Sequence, residues 1–233
     1  MTLNAGERLG PYDIITFDCY GTLIDWEGGI SGAFLEAAAE DGVKLEPGAV
    51  LGAYGEIEPI VEAEMYRSYR EVLGETARRI AERFGWNISK DRARFLAESL
   101  PGWRPFPDTN AALERLAASG LKFGVLSNVD DELLAGTLKH FTVDFDLLVT
   151  AQQLRSYKPA FEHFQEARKR LEAAGTTGWL HAAQSYFHDV VPSVALGIPV
   201  AWINRKGEAP SGEARPDKEF STLADLAEWL GGR

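Results

Sequence analysis

Tyr12-Asp13-Ile14-Ile15-Thr16-Phe17-Asp18-Cys19-Tyr20-Gly21-Thr22-Leu23 decides how this chain is read. Tyr12 to Phe17 is rich in β-branched and aromatic residues and predicts a short strand. The strand runs straight into an acid, Asp18, and then to Gly21, which permits a turn that a Cβ would hinder. In open α/β sheets ligands sit beyond the carboxyl ends of the strands, so Asp18 falls where a site would form.

Outward from this stretch, about Ile30 to Ser99 reads as helical, with no strand. One helix is expected from Val61 to Phe84, because Met65, Tyr69, Val72, Leu73, Ile80 and Phe84 recur at spacings of three and four. Pro101 to Pro107 is a breaker cluster, and Asp108 or Thr109 can cap a helix that carries Leu113 and Leu116. Strand and helix then alternate. Strands are expected at Leu121–Leu126, Leu147–Val149, Trp179–Ala183 and Pro199–Ile203. Helices are expected at Asp131–His140, Phe161–Ala174, Val190–Leu196 and Thr222–Leu230. Gly207 to Lys218 reads as a surface loop. Repeated alternation implies an α/β fold, a Rossmann-like and mostly parallel sheet with helices on both faces. The expected organisation is a core domain of residues 1–27 and 103–233 and an inserted helical cap domain of residues 28–102.

The 233 residues are 45% hydrophobic, enough for a packed core. A formal net charge of −11 argues against nucleic acid or an anionic membrane as partner. Cys19 is the only cysteine and can make no internal disulfide, which fits a reducing cytoplasm. No apolar run reaches the ~20 residues a membrane span needs. Met1 to Pro11 lacks the apolar core of a secretory signal. A cytoplasmic protein is therefore expected.

Four strand ends deliver polar residues to an otherwise apolar sheet: Asp18, Tyr20 and Thr22; Ser127 and Asn128; Lys158; and Gln184, Ser185, Tyr186, His188 and Asp189. A parallel sheet would put all four on one rim. A carboxylate can attack an electrophilic carbon or phosphorus and form a covalent intermediate. A neighbouring lysine keeps it ionised, hydroxyl and amide donors orient it, and a second carboxylate or a histidine can activate water. Asp18, Lys158, Asp189 and His188 are thus the candidate catalytic residues. Cys19, Tyr20, Thr22, Ser127, Asn128, Gln184 and Tyr186 are candidates for the substrate pocket. Plainer roles exist for each: Asp18 as a turn cap, Asp189 as the N-cap of a helix from Val190, Cys19 as a buried thiol.

These stretches resemble the haloacid dehalogenase-like superfamily. Asp18-Cys19-Tyr20-Gly21-Thr22-Leu23 is similar to its first motif, Ser127-Asn128 to its second and Tyr157-Lys158-Pro159 to its third. Asp189, with Ala195-Leu196-Gly197-Ile198-Pro199 and Trp202-Ile203-Asn204-Arg205, is similar to the fourth in its dehalogenase branch. Phosphatases of the superfamily carry a second aspartate two positions after the nucleophile. Tyr20 stands there, as in the L-2-haloacid dehalogenase branch, which needs no metal. The resemblance implies a hydrolase in which Asp18 displaces halide from C2 of a short 2-haloacid and water then hydrolyses the ester. It also implies a small anionic organic substrate, no cofactor and a possible homodimer. The chain departs from that branch in several places. About Tyr54 to Val61 holds Glu56 and Glu58 where the branch has an arginine. Gln184 and Tyr186 precede Asp189, His188 replaces a tryptophan, and Phe164 replaces a tyrosine. A Mg²⁺-dependent phosphatase, with Asp18, Tyr20 and Asp189 around the metal, is the alternative within the superfamily; a non-catalytic anion- or protein-binding member is the second.

Overall fold

The computed structural model describes residues 12–231; the Met1–Pro11 stretch lies outside them. Six parallel strands form one sheet in the order β3-β2-β1-β4-β5-β6. They are β1 (Ile14–Phe17), β2 (Lys122–Ser127), β3 (Leu147–Thr150), β4 (Trp179–Ala183), β5 (Val200–Ile203) and β6 (Lys218–Phe220). Strand alternation sorts the side chains of β1. Ile15 and Phe17 pack with Leu113 and Leu116 of α5 (Thr109–Ala118) and with Leu226 and Leu230 of α10 (Leu223–Gly231). Ile14 joins the opposite layer, where Phe164, Ala167 and Leu171 of α8 (Glu162–Ala173) cover the sheet. With both faces covered, β1 and β5 are buried throughout.

Between β1 and α5 the chain is helical: α1 (Trp26–Glu40), α2 (Pro47–Ala63), α3 (Tyr69–Arg83) and α4 (Phe95–Ser99), with short 3₁₀ turns. The outgoing and returning passes are hydrogen-bonded to each other, Asp25 N–H to Arg104 O at 2.9 Å and Phe106 N–H to Leu23 O at 3.1 Å. The insertion is also pinned to the sheet rim. Asp130, just after β2, accepts the Tyr69 and Arg70 N–H groups at 2.9 and 2.8 Å, and Tyr157 donates its hydroxyl to Arg67 O at 2.9 Å. The remaining helices are α6 (Asp131–Leu138), α7 (Ala151–Leu154) and α9 (Val191–Ala195).

Three expectations are corrected. The helix expected over Val61–Phe84 is two helices, broken at 64–68. Ser68 starts the second with a capping box, its side chain bonded to the Glu71 N–H and Glu71 returning to the Ser68 N–H. Met65 falls in the break and is 74% exposed, so it is not part of the buried stripe. Lys218, expected in a loop, opens the short edge strand β6; its charged residues suit an edge, not an alternating half-buried face. Neither Asp108 nor Thr109 caps α5 with its side chain. Asp108 instead accepts the Leu223 N–H at 2.8 Å and pairs with Arg205 at 3.0 Å, fastening the start of α10, while the Thr109 hydroxyl donates to Leu23 O. Among the described residues no helix is long and apolar enough to cross a membrane.

Candidate active site

The strand order reverses direction at β1: β2 lies on one side and β4 on the other. A crevice opens at such a switch point, beyond the carboxyl ends. Asp18 leaves β1 at this place, and the Gln184–Asp189 segment leaves β4 beside it. Gly21 turns the chain with φ +100°, and a Cβ there would stand 3.0 Å from the Trp26 indole nitrogen.

The floor of the site is a buried ionic cluster. Lys158 is 2% exposed and spends all three ammonium protons, on Asp18 Oδ1 at 2.9 Å, Asp189 Oδ1 at 2.6 Å and Leu126 O at 2.8 Å. The Thr22 hydroxyl donates to Asp18 Oδ2 at 2.9 Å and accepts the Gln184 N–H at 2.8 Å. Behind Asp189 runs a chain that pairs every group in one way only. Trp179 Nε1–H donates to Thr16 Oγ1 at 2.7 Å, Thr16 donates to His181 Nδ1 at 2.9 Å, and His181 Nε2–H donates to Asp189 Oδ1 at 3.0 Å. Burial opposes the charge on Asp189, but Lys158 and His181 outweigh it and hold the carboxyl down at about 2. Burial lifts the Asp18 carboxyl above its ordinary range, against the pull of Lys158. Burial also opposes the Lys158 charge, yet its two carboxylates keep the ammonium above its usual value.

Above this floor lies a cavity of about 390 Å³, the size of a small-ligand site. Of the sequence candidates, Asp18, Tyr20, Ser127, Asn128, Lys158, Gln184, Tyr186, His188 and Asp189 line it. Two do not. Cys19 is fully buried in the core beneath, where burial pushes its thiol well up, and Thr22 stands behind Asp18 as its hydrogen-bond donor. Two pocket candidates are held by the protein. Asn128 clamps the Lys158 main chain, accepting its N–H at 2.7 Å and donating to its carbonyl at 3.0 Å. The Tyr186 hydroxyl donates to Ala214 O at 2.8 Å. Tyr20 is edge-on to Trp103 and donates to Thr137. Asp189 is not a helix N-cap: Ser185 caps the π-helical turn Tyr186–Val190, which aims Asp189 at Lys158. Ser185 Oγ also meets His188 Nδ1 at 3.0 Å, and burial pulls the His188 imidazole below its usual value, so it is neutral at pH 7.

Two buried polar atoms in the cavity wall have no protein partner, Ser127 Oγ and Asp189 Oδ2. Such groups bind water or ligand. Residues that the sequence reading did not place here complete the walls: Trp26, Tyr54, Glu62 and Tyr69 from the helical insertion, and Lys206 and Glu208 after β5. His181 was likewise not anticipated. Its one signal is a histidine inside the apolar run Trp179-Leu180-His181-Ala182-Ala183, which needs a buried partner.

A parallel α/β sheet with a helical insertion, and an aspartate–lysine–aspartate cluster at the switch point, is a hydrolase architecture. The family model for haloacid dehalogenase-like hydrolases matches residues 12–178, and the chain belongs to that family. It is 26% identical over 235 residues to the (S)-2-haloacid dehalogenase H-109 of Pseudomonas putida, covering 94% of this chain and 98% of that protein. It is 24% identical over 229 residues to a phosphoglycolate phosphatase of Yersinia pestis, covering 93% and 92%. It shares its fold with the L-2-haloacid dehalogenase of Xanthobacter autotrophicus, solved with chloropropionic acid covalently bound, at TM-score 0.78 and 19% identity over 95% of this chain and 99% of that one.

Proposed function

We propose that this hydrolase releases halide from a short 2-haloacid through an ester on Asp18, with residues 28–102 acting as a cap over the reaction. The observation that carries the reading is Asp18, held by Lys158 and Thr22 on the floor of a covered cavity. In the first step an Asp18 carboxylate oxygen bonds to C2 as the carbon–halogen bond breaks, and the electron pair leaves with halide. Lys158 stays protonated throughout and offsets the buried negative charge. In the second step water adds to the ester carbonyl, the hydroxy acid departs, and the Asp18 carboxylate is restored. Asp189 Oδ2, ionised and without a protein partner, is the acceptor that orients this water; neutral His188 is the base of higher proton affinity beside it.

The position that would hold a phosphatase general acid supports this choice. Tyr20 sits there with its hydroxyl given to Thr137, and burial raises its ionisation far above neutral pH. Halide needs no proton to leave; an alkoxide does. The donors also fit Mg²⁺ poorly. Hard divalent cations need several free oxygens, whereas both Asp18 oxygens and Asp189 Oδ1 are already committed to Lys158, Thr22 and His181. Asp189 Oδ2 is the one carboxylate oxygen of the pair left over. No step is therefore routed through a metal.

The test is halide release from chloroacetate and from each 2-chloropropionate enantiomer, with EDTA present, for the wild type and Asp18→Asn. The wild type is expected to turn over and the isosteric variant to give no steady turnover. Mass spectrometry of the quenched wild type should find the ester on Asp18. Phosphate release from p-nitrophenyl phosphate that needs Mg²⁺, without any halide release, would overturn the reading.

A further inference from the structure

Two hydrogen bonds converge on one oxygen of Asp189 and none on the other. Oδ1 accepts from Lys158 Nζ at 2.6 Å and from His181 Nε2 at 3.0 Å, whereas Oδ2 is buried in the cavity wall without a protein partner. Lys158 by itself does not choose between the two oxygens. An ammonium is satisfied by either oxygen of a carboxylate, and this one also serves Asp18. A second donor, arriving from another direction, fixes the rotation of the Asp189 carboxyl. That donor is His181, fully buried on β4.

Which nitrogen of His181 carries the hydrogen is set from behind. Trp179 and His181 are two apart on β4 and share a face, and the parallel register puts Thr16 of β1 opposite His181. The Trp179 indole can only donate, so Thr16 Oγ1 accepts from it at 2.7 Å and gives its own hydrogen to His181 Nδ1 at 2.9 Å. Nε2 then holds the hydrogen that points at Asp189. The other tautomer would aim a lone pair at the carboxylate and leave the Thr16 hydrogen without an acceptor among the described residues. Phe164 stands edge-on to the imidazole, with 5.4 Å between ring centres and 88° between planes, and holds its orientation.

We infer that His181 is a positioning residue for hydrolysis of the Asp18 ester: backed by Thr16 and Trp179, it pins Asp189 Oδ1 and so keeps Oδ2 turned to the attacking water. The step it serves rests on the dehalogenase reading above. Water bonds through its oxygen to Asp18 Cγ, and the bond from Cγ to the substrate oxygen breaks. One water proton ends on the departing hydroxyl and the other passes to His188. Formation of the ester uses neither water nor Asp189 Oδ2. The two halves of the reaction should therefore separate when His181 is changed.

The wild type, His181→Gln, His181→Asn and Thr16→Val are each mixed with chloroacetate, quenched at intervals, and followed by halide release and by the mass of the Asp18 peptide. Gln places an amide N–H near the Nε2 position, whereas the shorter Asn reaches only the Nδ1 position. His181→Asn should slow ester hydrolysis about ten- to a hundredfold, the equivalent of one lost hydrogen bond to a charged group, and change ester formation by less than about threefold. Its signature is a burst of about one halide per enzyme with the ester accumulating. His181→Gln should restore most of the hydrolysis rate. Thr16→Val should slow hydrolysis about three- to tenfold, the equivalent of one lost neutral hydrogen bond. Equal slowing of both halves in His181→Asn, hydrolysis there at the wild-type rate, or His181→Gln no faster than His181→Asn overturns the inference. Should neither variant at 181 fold, hydrolysis by Thr16→Val at the wild-type rate overturns it. Nitrogen-15 correlation spectra of the wild-type imidazoles read the hydrogen directly and need no turnover. It is expected on His181 Nε2, and an Nε2 without it overturns the inference whatever the kinetics. No halide from the wild type beside a protonated Nε2 overturns the dehalogenase reading and leaves the restraint on Asp189 standing.

Discussion

Replacing Lys158 by Met keeps most of the buried stem and removes the ammonium. Two carboxylates that shared one cation, Asp18 and Asp189, are then left in a buried site, and the Leu126 carbonyl loses its ammonium donor. Removing one partner of a buried ion pair costs about 3–5 kcal/mol. That is a large share of the ~5–15 kcal/mol by which domains are stable. With a urea dependence of about 3 kcal/mol per molar, the unfolding midpoint should fall by about 1–2 M at pH 7. The loss should depend on pH, and its sign follows from which acid takes up a proton. Asp189 still has His181, whereas Asp18 keeps only Thr22 and already ionises less readily than an ordinary aspartate because it is buried. Asp18 in the variant therefore has a folded-state pKa raised further above its unfolded value near ~4. A group raised in this way favours folding at low pH and loses that contribution as pH rises through the folded value. The gap to the wild type should be widest at pH 8 and narrow toward pH 5. Protonated Asp18 is no nucleophile, so turnover should vanish along with the stability. Urea titrations of both proteins at pH 5, 6.5 and 8 make the check. A midpoint shift under about 0.3 M, or one equal at all three pH values, would refute the shared-ammonium account.

Two other perturbations probe the scaffold. Gly29 lies inside α1, and a Cβ there would stand 2.3 Å from Trp103 Cγ. Helix propensity favours alanine by about 1 kcal/mol, but overpacking costs about 1–3. Gly29→Ala should thus destabilise in thermal melts and, because Trp103 lines the cavity, raise KM; a stabilised variant with unchanged kinetics would contradict the packing. His163 is buried under the sheet rim, and burial with Lys158 nearby pushes it down to about 3. Its folded pKa lies below the unfolded value, so it remains neutral in the folded chain while the unfolded chain takes up a proton. Stability should then fall by up to about 1.4 kcal/mol per pH unit below ~6.5. His163→Phe should flatten that slope in urea titrations between pH 6.5 and 5, and an unchanged slope would exclude His163 as its source.

Much of the fold is legible along the chain because its signals are local. Short apolar runs rich in β-branched and aromatic residues, such as Ile14–Phe17 and Trp179–Ala183, and the three-and-four spacing in the helices, need only the nearest few residues to be read. The parallel rim follows from the repeated succession of strand and helix, and with it the gathering of Asp18, Lys158 and Asp189 at one edge of the sheet. The break at 64–68 was also written locally, in the capping pair Ser68 and Glu71, but the longer apolar repeat masked it.

What the sequence by itself determined is therefore the kind of elements, their order, and the acid–lysine–acid set at the strand ends. Only the tertiary structure decided which neighbours of that set face the cavity. Thr22 turned to Asp18, Asn128 to the Lys158 main chain and Cys19 into the core, while His181 came to rest against Asp189 and Glu58 with Glu62 became a wall. The physical reason is distance along the chain. Lys158 meets Asp18 across 140 residues, and Thr16 meets His181 across 165. Hydrogen bonds of that span are chosen by how the sheet and the helical insertion close on each other, and no local spacing encodes them.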